Sequence, residues 1–259
     1  MLRLTPVVKN LVILNVVVFI LQYVMQRVDI TGILALWSIG SENFRPYQFF
    51  TYSFAHGDFF HILFNMMALV FLGPMLEQRW GSKQFLLFYM ITAIGASMLY
   101  GSVQQWRNGS LERDVTAYVM DPTPDHFLHF VDKHRNYLPQ DAYDISNTFS
   151  KNPGNELYIK HTIAMVEGVY ERATNFSYML GASGAVYGIL LAFGLLFPNL
   201  ELMLIFPPIP VKAKYMVMVL GGIALYSGLS RQGDGVAHLT HLGGMIFSFI
   251  MIRFWLEKR

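Results

Sequence analysis

The stretch Gly181-Ala182-Ser183-Gly184-Ala185-Val186-Tyr187-Gly188 sets a serine among small residues, inside a run from Ala173 to Leu200 with no Asp, Glu, Lys or Arg. A run of that length without charge places the serine in or beside a membrane helix. Gly and Ser spaced four apart are common where membrane helices pack closely, and most such serines do no chemistry. On this octapeptide alone, packing is the better reading. Two further apolar segments change it. One carries His241, in Ala237-His238-Leu239-Thr240-His241-Leu242-Gly243-Gly244; the other carries His61 and Asn65.

Composition agrees with a polytopic membrane protein. Of 259 residues, 54% are hydrophobic and 14% charged, where soluble domains carry about a quarter charged residues. There is no cysteine, which excludes disulfides and thiolate metal sites and leaves the redox compartment open. A net charge of +2, without a basic patch interleaved with aromatics, gives no case for a nucleic-acid partner.

Charge-free intervals predict six membrane spans: Asn10–Gln26, Phe59–Leu76, Gln84–Trp106, about Tyr178–Phe197, Tyr215–Ser230 and Gly235–Ile252. Each approaches the roughly 20 residues that a spanning helix needs. The fifth is the weakest, with 16 strictly uncharged positions. No small-x-small cleavage pattern follows Gln26, so the first reads as a retained helix. With a cytoplasmic N-terminus, the inner side holds Arg3, Lys9, Arg79, Lys83, Lys212, Lys214, Arg253, Lys258 and Arg259. The short outer segments hold Arg27, Arg45 and Arg231. That bias puts both termini in the cytoplasm. The Pro207-Pro208-Ile209-Pro210 stretch breaks any helix between spans four and five. No internal repeat suggests a transporter of inverted halves.

The expected fold class is therefore all-α, with helices one to three in 1–103, a polar helical extramembrane insertion in 104–176 and helices four to six in 177–259. Within the insertion, Thr123-Pro124-Asp125 reads as an N-cap followed by a first-turn proline, opening a helix to about Leu138. Phe127, Phe130, Val131 and Tyr137 keep helical spacing along it. A second helix is predicted over about Asn155–Thr174, with Leu157, Ile159, Ile163, Val166, Val169 and Tyr170 as its apolar residues. Pro139–Gly154 between them reads as loop. His126, His129 and His134 read as solvated helix faces, since nothing converges on them. The first outer loop, Val28–Gly57, is rich in aromatics and reads as partly interfacial.

Spans two, four and six all enter from the outer side. His61 lies about two residues into span two, Ser183 about five into span four and His241 about six into span six. At about 1.5 Å per residue these share one level in the outer third of the bilayer. Histidines at that depth usually face the bundle interior and serve a function. A serine hydroxyl needs a base to take its proton, and neutral imidazole suits that task near pH 7. His241 can serve Ser183. No carboxylate lies deep in any span, so the expectation is a Ser-His dyad. The Ser183 N–H, the Asn65 amide and the His61 ring can stabilise an oxyanion. Glycines beside Ser183 let backbone approach a substrate, and Tyr187, one turn on, can hold the His241 ring. G-x-S-x-G fails because Ala185 fills the last position. H-E-x-x-H is absent. A metal on His56, His61 and His241 would lack any neighbouring carboxylate or cysteine, so neither metal nor cofactor is expected.

Gly181, Ser183, Gly184 and Gly188, with Tyr187, resemble the G-x-S-G-x-x-x-G motif of the rhomboid intramembrane serine proteases. His56, His61 and Asn65 match that family's second-helix pattern of two histidines and an asparagine. His241 with Gly244 matches its sixth-helix histidine followed three residues later by glycine, a pattern His238 lacks. Phe44-Arg45 stands where the family often has Trp-Arg. Ser248 departs from a frequent second glycine, and the outer segment after helix three is longer than in a minimal member. The resemblance implies a six-helix core and cleavage of single-span membrane proteins near the outer membrane face. It also implies a preference for small or helix-breaking residues near the cut. Its rivals are an inactive rhomboid-like protein that binds membrane clients and, less well supported, a small transporter. The absence of a transit-like extension favours a bacterial inner membrane over an organellar one.

Overall fold

The computed structural model describes residues 4–25, 27–203, 208–229 and 235–256. Gln26, Pro207, Ser230 and the charge-count residues Arg3, Arg231, Lys258 and Arg259 lie outside the described residues. The chain forms two compact units. One comprises Met1–Leu36, Arg45–Gly101 and Tyr178–Arg259; the other comprises Trp37–Phe44 and Ser102–Ser177.

The first unit begins with α1 (Pro6–Val24), whose proline sits in the first turn where its missing N–H costs nothing. Thr5, the N-cap, makes no side-chain cap. Glu77 does that work instead, accepting from Val7 and Val8 N–H, each at 3.0 Å, and from the hydroxyls of Thr5 and Ser82. A buried carboxylate is costly unless its lone pairs are filled, and here four donors fill them. Next come α2 (Ile30–Leu34), α3 (Gln48–Thr51) and a 3₁₀ turn at Tyr52–Phe54. Then α4 (Phe59–Trp80) starts on Asp58, which accepts the His61 N–H at 2.8 Å, and ends at Gly81 with φ +83°. A single long helix, α5 (Ser82–Met120), runs on from there; its residues to Gly101 belong to this unit.

The second unit takes the rest of α5, then α6 (Pro124–His134), α7 (Ala142–Lys151) and α8 (Glu156–Asn175). The Thr123 cap is formed as its sequence indicates, with Thr123 Oγ1 accepting the His126 N–H at 3.3 Å. Phe127, Phe130 and Val131 are buried with Leu111, Val115, Tyr118, Phe149, Val166 and Val169. Tyr137 lies in a 3₁₀ turn beyond α6 and is exposed, as is Leu157. Two expectations are corrected here. Pro139–Gly154 is no plain loop, because α7 lies within it and buries Ala142 and Phe149 on one face. Its Ser- and Asn-rich sequence hides that short stripe. His134 is not solvated: it is buried, and its Nε2 is 2.7 Å from Asp114 Oδ2 on α5.

The chain re-enters the first unit at Tyr178. α9 (Ser183–Leu196) is followed by a hairpin of Glu201–Met203 and Pro210–Lys212, then α10 (Ala213–Leu229) and α11 (Gly235–Met251), which continues as a π-turn at Ile252–Leu256. α9 is apolar all round and buried, with Gly184, Ala185, Gly188, Ile189, Ala192 and Phe193 inside. This is the pattern of a helix at the centre of a bundle. By contrast α1 leaves Ile13, Val17, Ile20 and Val24 exposed. An apolar helix face open to the outside suits lipid. By length and composition Pro6–Val24, Phe59–Trp80, Ser82–Met120 and His238–Leu256 can cross a membrane; Ser183–Leu196 and Ala213–Gly228 are apolar but shorter. The predicted fourth span began near Tyr178, yet its helix starts at Ser183. Tyr178–Met179 is extended and Gly181 has φ +118°, which no helix accommodates.

Candidate active site

Ser183 is thus the first residue of α9, not one five residues inside it. The four leading N–H groups of a helix lack intrahelical acceptors, so their partners can be followed one by one. Gly181 N–H donates to the Tyr52 carbonyl at 2.9 Å. Ala182 N–H donates to His56 Nε2 at 3.5 Å. The first intrahelical bond is Val186 N–H to the Ala182 carbonyl, at 3.0 Å. Ser183, Gly184 and Ala185 therefore have no acceptor within the helix. Their N–H groups gather at its positive end, where an anion is favoured.

On the Ser183 side chain, His241 Nε2 lies 2.9 Å from the hydroxyl oxygen. The His241 ring stacks on Tyr187, with centroids 4.0 Å apart and planes within 2°. That stack fixes the imidazole plane from one side. His238, one turn earlier on α11, meets it edge-on at 5.7 Å. His241 Nδ1 is buried and has no hydrogen-bond partner among the described residues. Among the described residues no carboxylate meets that atom.

The backbone of α11 is brought onto α9 by glycine. A Cβ on Gly244 would fall on the Gly184 carbonyl, with the Gly184 carbon at 2.8 Å. A Cβ on Gly184 would meet Ala96 at 2.8 Å and the Tyr52 hydroxyl at 3.1 Å. Lower on the same crossing, Ser248 Oγ donates to the Gly188 carbonyl at 2.8 Å. Serine in place of a second glycine therefore preserves the close approach and adds a hydrogen bond.

The other wall comes from α4 and the segment before it. His61 Nδ1 accepts the Gly57 N–H at 3.5 Å, leaving Nε2 to carry the ring proton. That Nε2 faces Gly181, and a Cβ there would lie 2.5 Å from it. Asn65 is buried one turn on; one amide hydrogen goes to the His61 carbonyl at 2.9 Å, leaving its second N–H for another acceptor. His56 packs edge-on against His61 at 5.1 Å. Burial, then the neighbouring His61, pushes His56 down to about 4, so it is neutral at pH 7 and its Nε2 can accept from Ala182. Sequence spacing brought His56 in only through the family pattern; its contact with the α9 terminus is visible only in the fold. Tyr52, which the sequence places only among the interfacial aromatics of the first outer loop, belongs to the site's frame. It is fully buried, its carbonyl holds Gly181, and its hydroxyl donates to the Ala93 carbonyl at 2.8 Å. Among Tyr47, Phe49 and Phe50, nothing in the sequence marks it out.

The family model described as Rhomboid domain matches residues 43–110 and 157–258, and the chain belongs to that family. With its long apolar helices, this makes it an integral membrane protein. RHOMBOID-like protein 12, mitochondrial, of Arabidopsis thaliana is 27% identical over 244 residues, covering 92% of this chain and 55% of the relative. RHOMBOID-like protein 1 of the same plant is 42% identical over 53 residues, 20% of this chain and 14% of the relative. Rhomboid-like protease 3 of Toxoplasma gondii is 29% identical over 72 residues, 28% of this chain and 27% of the relative. The chain thus spans about half the length, or less, of these curated relatives.

Proposed function

We propose that this protein is an intramembrane serine endopeptidase that cuts single-span membrane proteins. The observation that carries the reading is the 2.9 Å contact between His241 Nε2 and Ser183 Oγ at the N-terminus of α9. Ser183 Oγ attacks the carbonyl carbon of the scissile bond while His241 Nε2 takes the hydroxyl proton. The carbonyl oxygen becomes an oxyanion and accepts from the Ser183 N–H, the His61 ring and the Asn65 amide. His241 returns the proton to the leaving amine, and the C–N bond breaks. Water then attacks the acyl-serine with His241 again as base, and Ser183 recovers its proton. No metal or cofactor enters these steps. A peptide bond inside a helix has its carbonyl hydrogen-bonded and shielded, so substrates with small or helix-breaking residues near the cut are favoured.

The same proposal includes six spans, both termini in the cytoplasm and a site opening to the outer side. Residues 104–176 form an extramembrane insertion of one rhomboid-like domain. With no native cysteine, single cysteines placed at the ends of the spans report their sides by impermeant labelling. A bacterial inner membrane remains part of the proposal, although the relatives named above come from a plant and an apicomplexan.

The test is cleavage in proteoliposomes of single-span reporters whose helix carries glycine or proline near the outer face. Cutting by wild type and not by Ser183→Ala supports the reading. Retention of uncut reporters by a folded wild-type protein points instead to a client-binding member of the family.

A further inference from the structure

One polar side chain outside the reacting groups reaches the site through its neighbour. Gln22, near the end of α1, meets the backbone of His56 at two points. His56 N–H donates to Gln22 Oε1 at 3.1 Å, and Gln22 Nε2 donates to the His56 carbonyl at 3.2 Å. The second amide hydrogen of Gln22 goes to Thr31 Oγ1 on α2 at 2.8 Å. A primary amide that pairs with both groups of one residue acts as a strand would, fixing φ and ψ there together. With its backbone fixed, the His56 ring has few directions left. It lies edge-on to His61 at 5.1 Å and accepts the Ala182 N–H at 3.5 Å. Ala182 is the residue before the nucleophile. His56 thus touches both walls of the anion site, and Gln22 holds His56.

We infer that Gln22 is a positioning residue for the proposed reaction: its amide clamp aims His56, which sets the N-terminus of α9 and the His61 ring around the oxyanion. The inference rests on the protease reading above. Gln22 touches no reacting atom, so its loss slows the chemical step and leaves the affinity for a small probe nearly unchanged.

The experiment uses the full chain in detergent and a fluorophosphonate probe, with the inactivation rate resolved into its saturating rate and half-saturating concentration. Gln22→Leu, which removes both hydrogen bonds to His56 and the one to Thr31, lowers the saturating rate by about tenfold. His56→Ala lowers it similarly, and adding Gln22→Leu to His56→Ala changes it less than twofold, because residues acting through one contact are not additive. Gln22→Glu keeps the acceptor for His56 N–H but sets a second acceptor against the His56 carbonyl; its rate falls between Leu and wild type.

Equal factors for Gln22→Leu in the wild-type and His56→Ala backgrounds, or no slowing at all, would overturn the assignment. Amide hydrogen exchange over Gly181–Gly184 gives a readout that needs no activity. It quickens in Gln22→Leu and His56→Ala if the clamp holds the α9 terminus, and unchanged exchange in both contradicts that. A wild-type protein that fails to label yet shows the exchange effect removes the protease reading and leaves the clamp standing.

Discussion

At Gly181 the backbone takes φ +118°, and a methyl group there would lie 2.5 Å from His61 Nε2. Alanine at this position suffers twice, once from a conformation that costs about 1–3 kcal/mol outside glycine and once from the imidazole. Gly181→Ala should lower the melting temperature and slow phosphonate labelling by at least about tenfold; labelling at the wild-type rate would show that His61 does not need this space. Asn65→Ala removes one oxyanion donor and should slow cleavage by about 10²–10³ with the fold intact, and an unchanged rate removes Asn65 from that role. The residues facing one another here were largely legible beforehand. Ser183, His241, His61 and Asn65 are polar groups in apolar runs, and burial makes such groups conspicuous. Tyr52 and Gln22 were not legible, because each acts through backbone atoms that no spacing rule reveals.

Among the elements, the crossing of α9 and α11 depends on backbone contact at Gly184 and Gly244 and on a hydrogen bond at Gly188 and Ser248. The two ends should respond differently. Gly244→Ala pushes the helices apart where His241 meets Ser183. It should cost about 1–3 kcal/mol of stability and slow labelling sharply. Ser248→Ala removes one buried hydrogen bond, worth about 1 kcal/mol, and should leave the labelling rate within twofold. A Gly244→Ala protein as stable and as quick to label as Ser248→Ala would show that the crossing is not tight there. Long charge-free runs made α1, α4, α11 and the first part of α5 readable; the continuation of α5 from Trp106 to Met120 was not, because Arg107, Glu112, Arg113 and Asp114 end the charge-free run while the helix goes on. The start of α9 was misplaced because Tyr178–Leu180 is as apolar as a helix while running extended. α7 was missed because its stripe is only two buried apolar residues, Ala142 and Phe149.

For the whole molecule, His56 ties stability to pH. Burial, then His61, holds it at about 4 instead of the ordinary 6.5. As pH falls below 6.5 the unfolded chain takes up a proton here and the folded chain does not, so stability declines toward pH 4 and then levels off at this site. Thermal unfolding in detergent should show a melting temperature that drops across this window, with a smaller drop in His56→Leu; equal drops in both proteins would mean that His56 is not held neutral. The family match breaks between residues 110 and 157, the stretch that contains α6 and α7, whose apolar residues share one core with α5 and α8. The mostly helical make-up, with several long apolar helices, was foreseeable from charge and hydropathy. The pairing of His134 with Asp114 was not, because it joins residues 20 apart on different helices.

The central claim is that Ser183 is activated by His241, and the most direct test is covalent labelling by a serine-directed fluorophosphonate. Wild-type protein should label on Ser183, as read by peptide mapping, with no labelling of Ser183→Ala or His241→Ala. A folded wild-type protein that does not label, or a His241→Ala protein that labels as fast as wild type, would contradict the account.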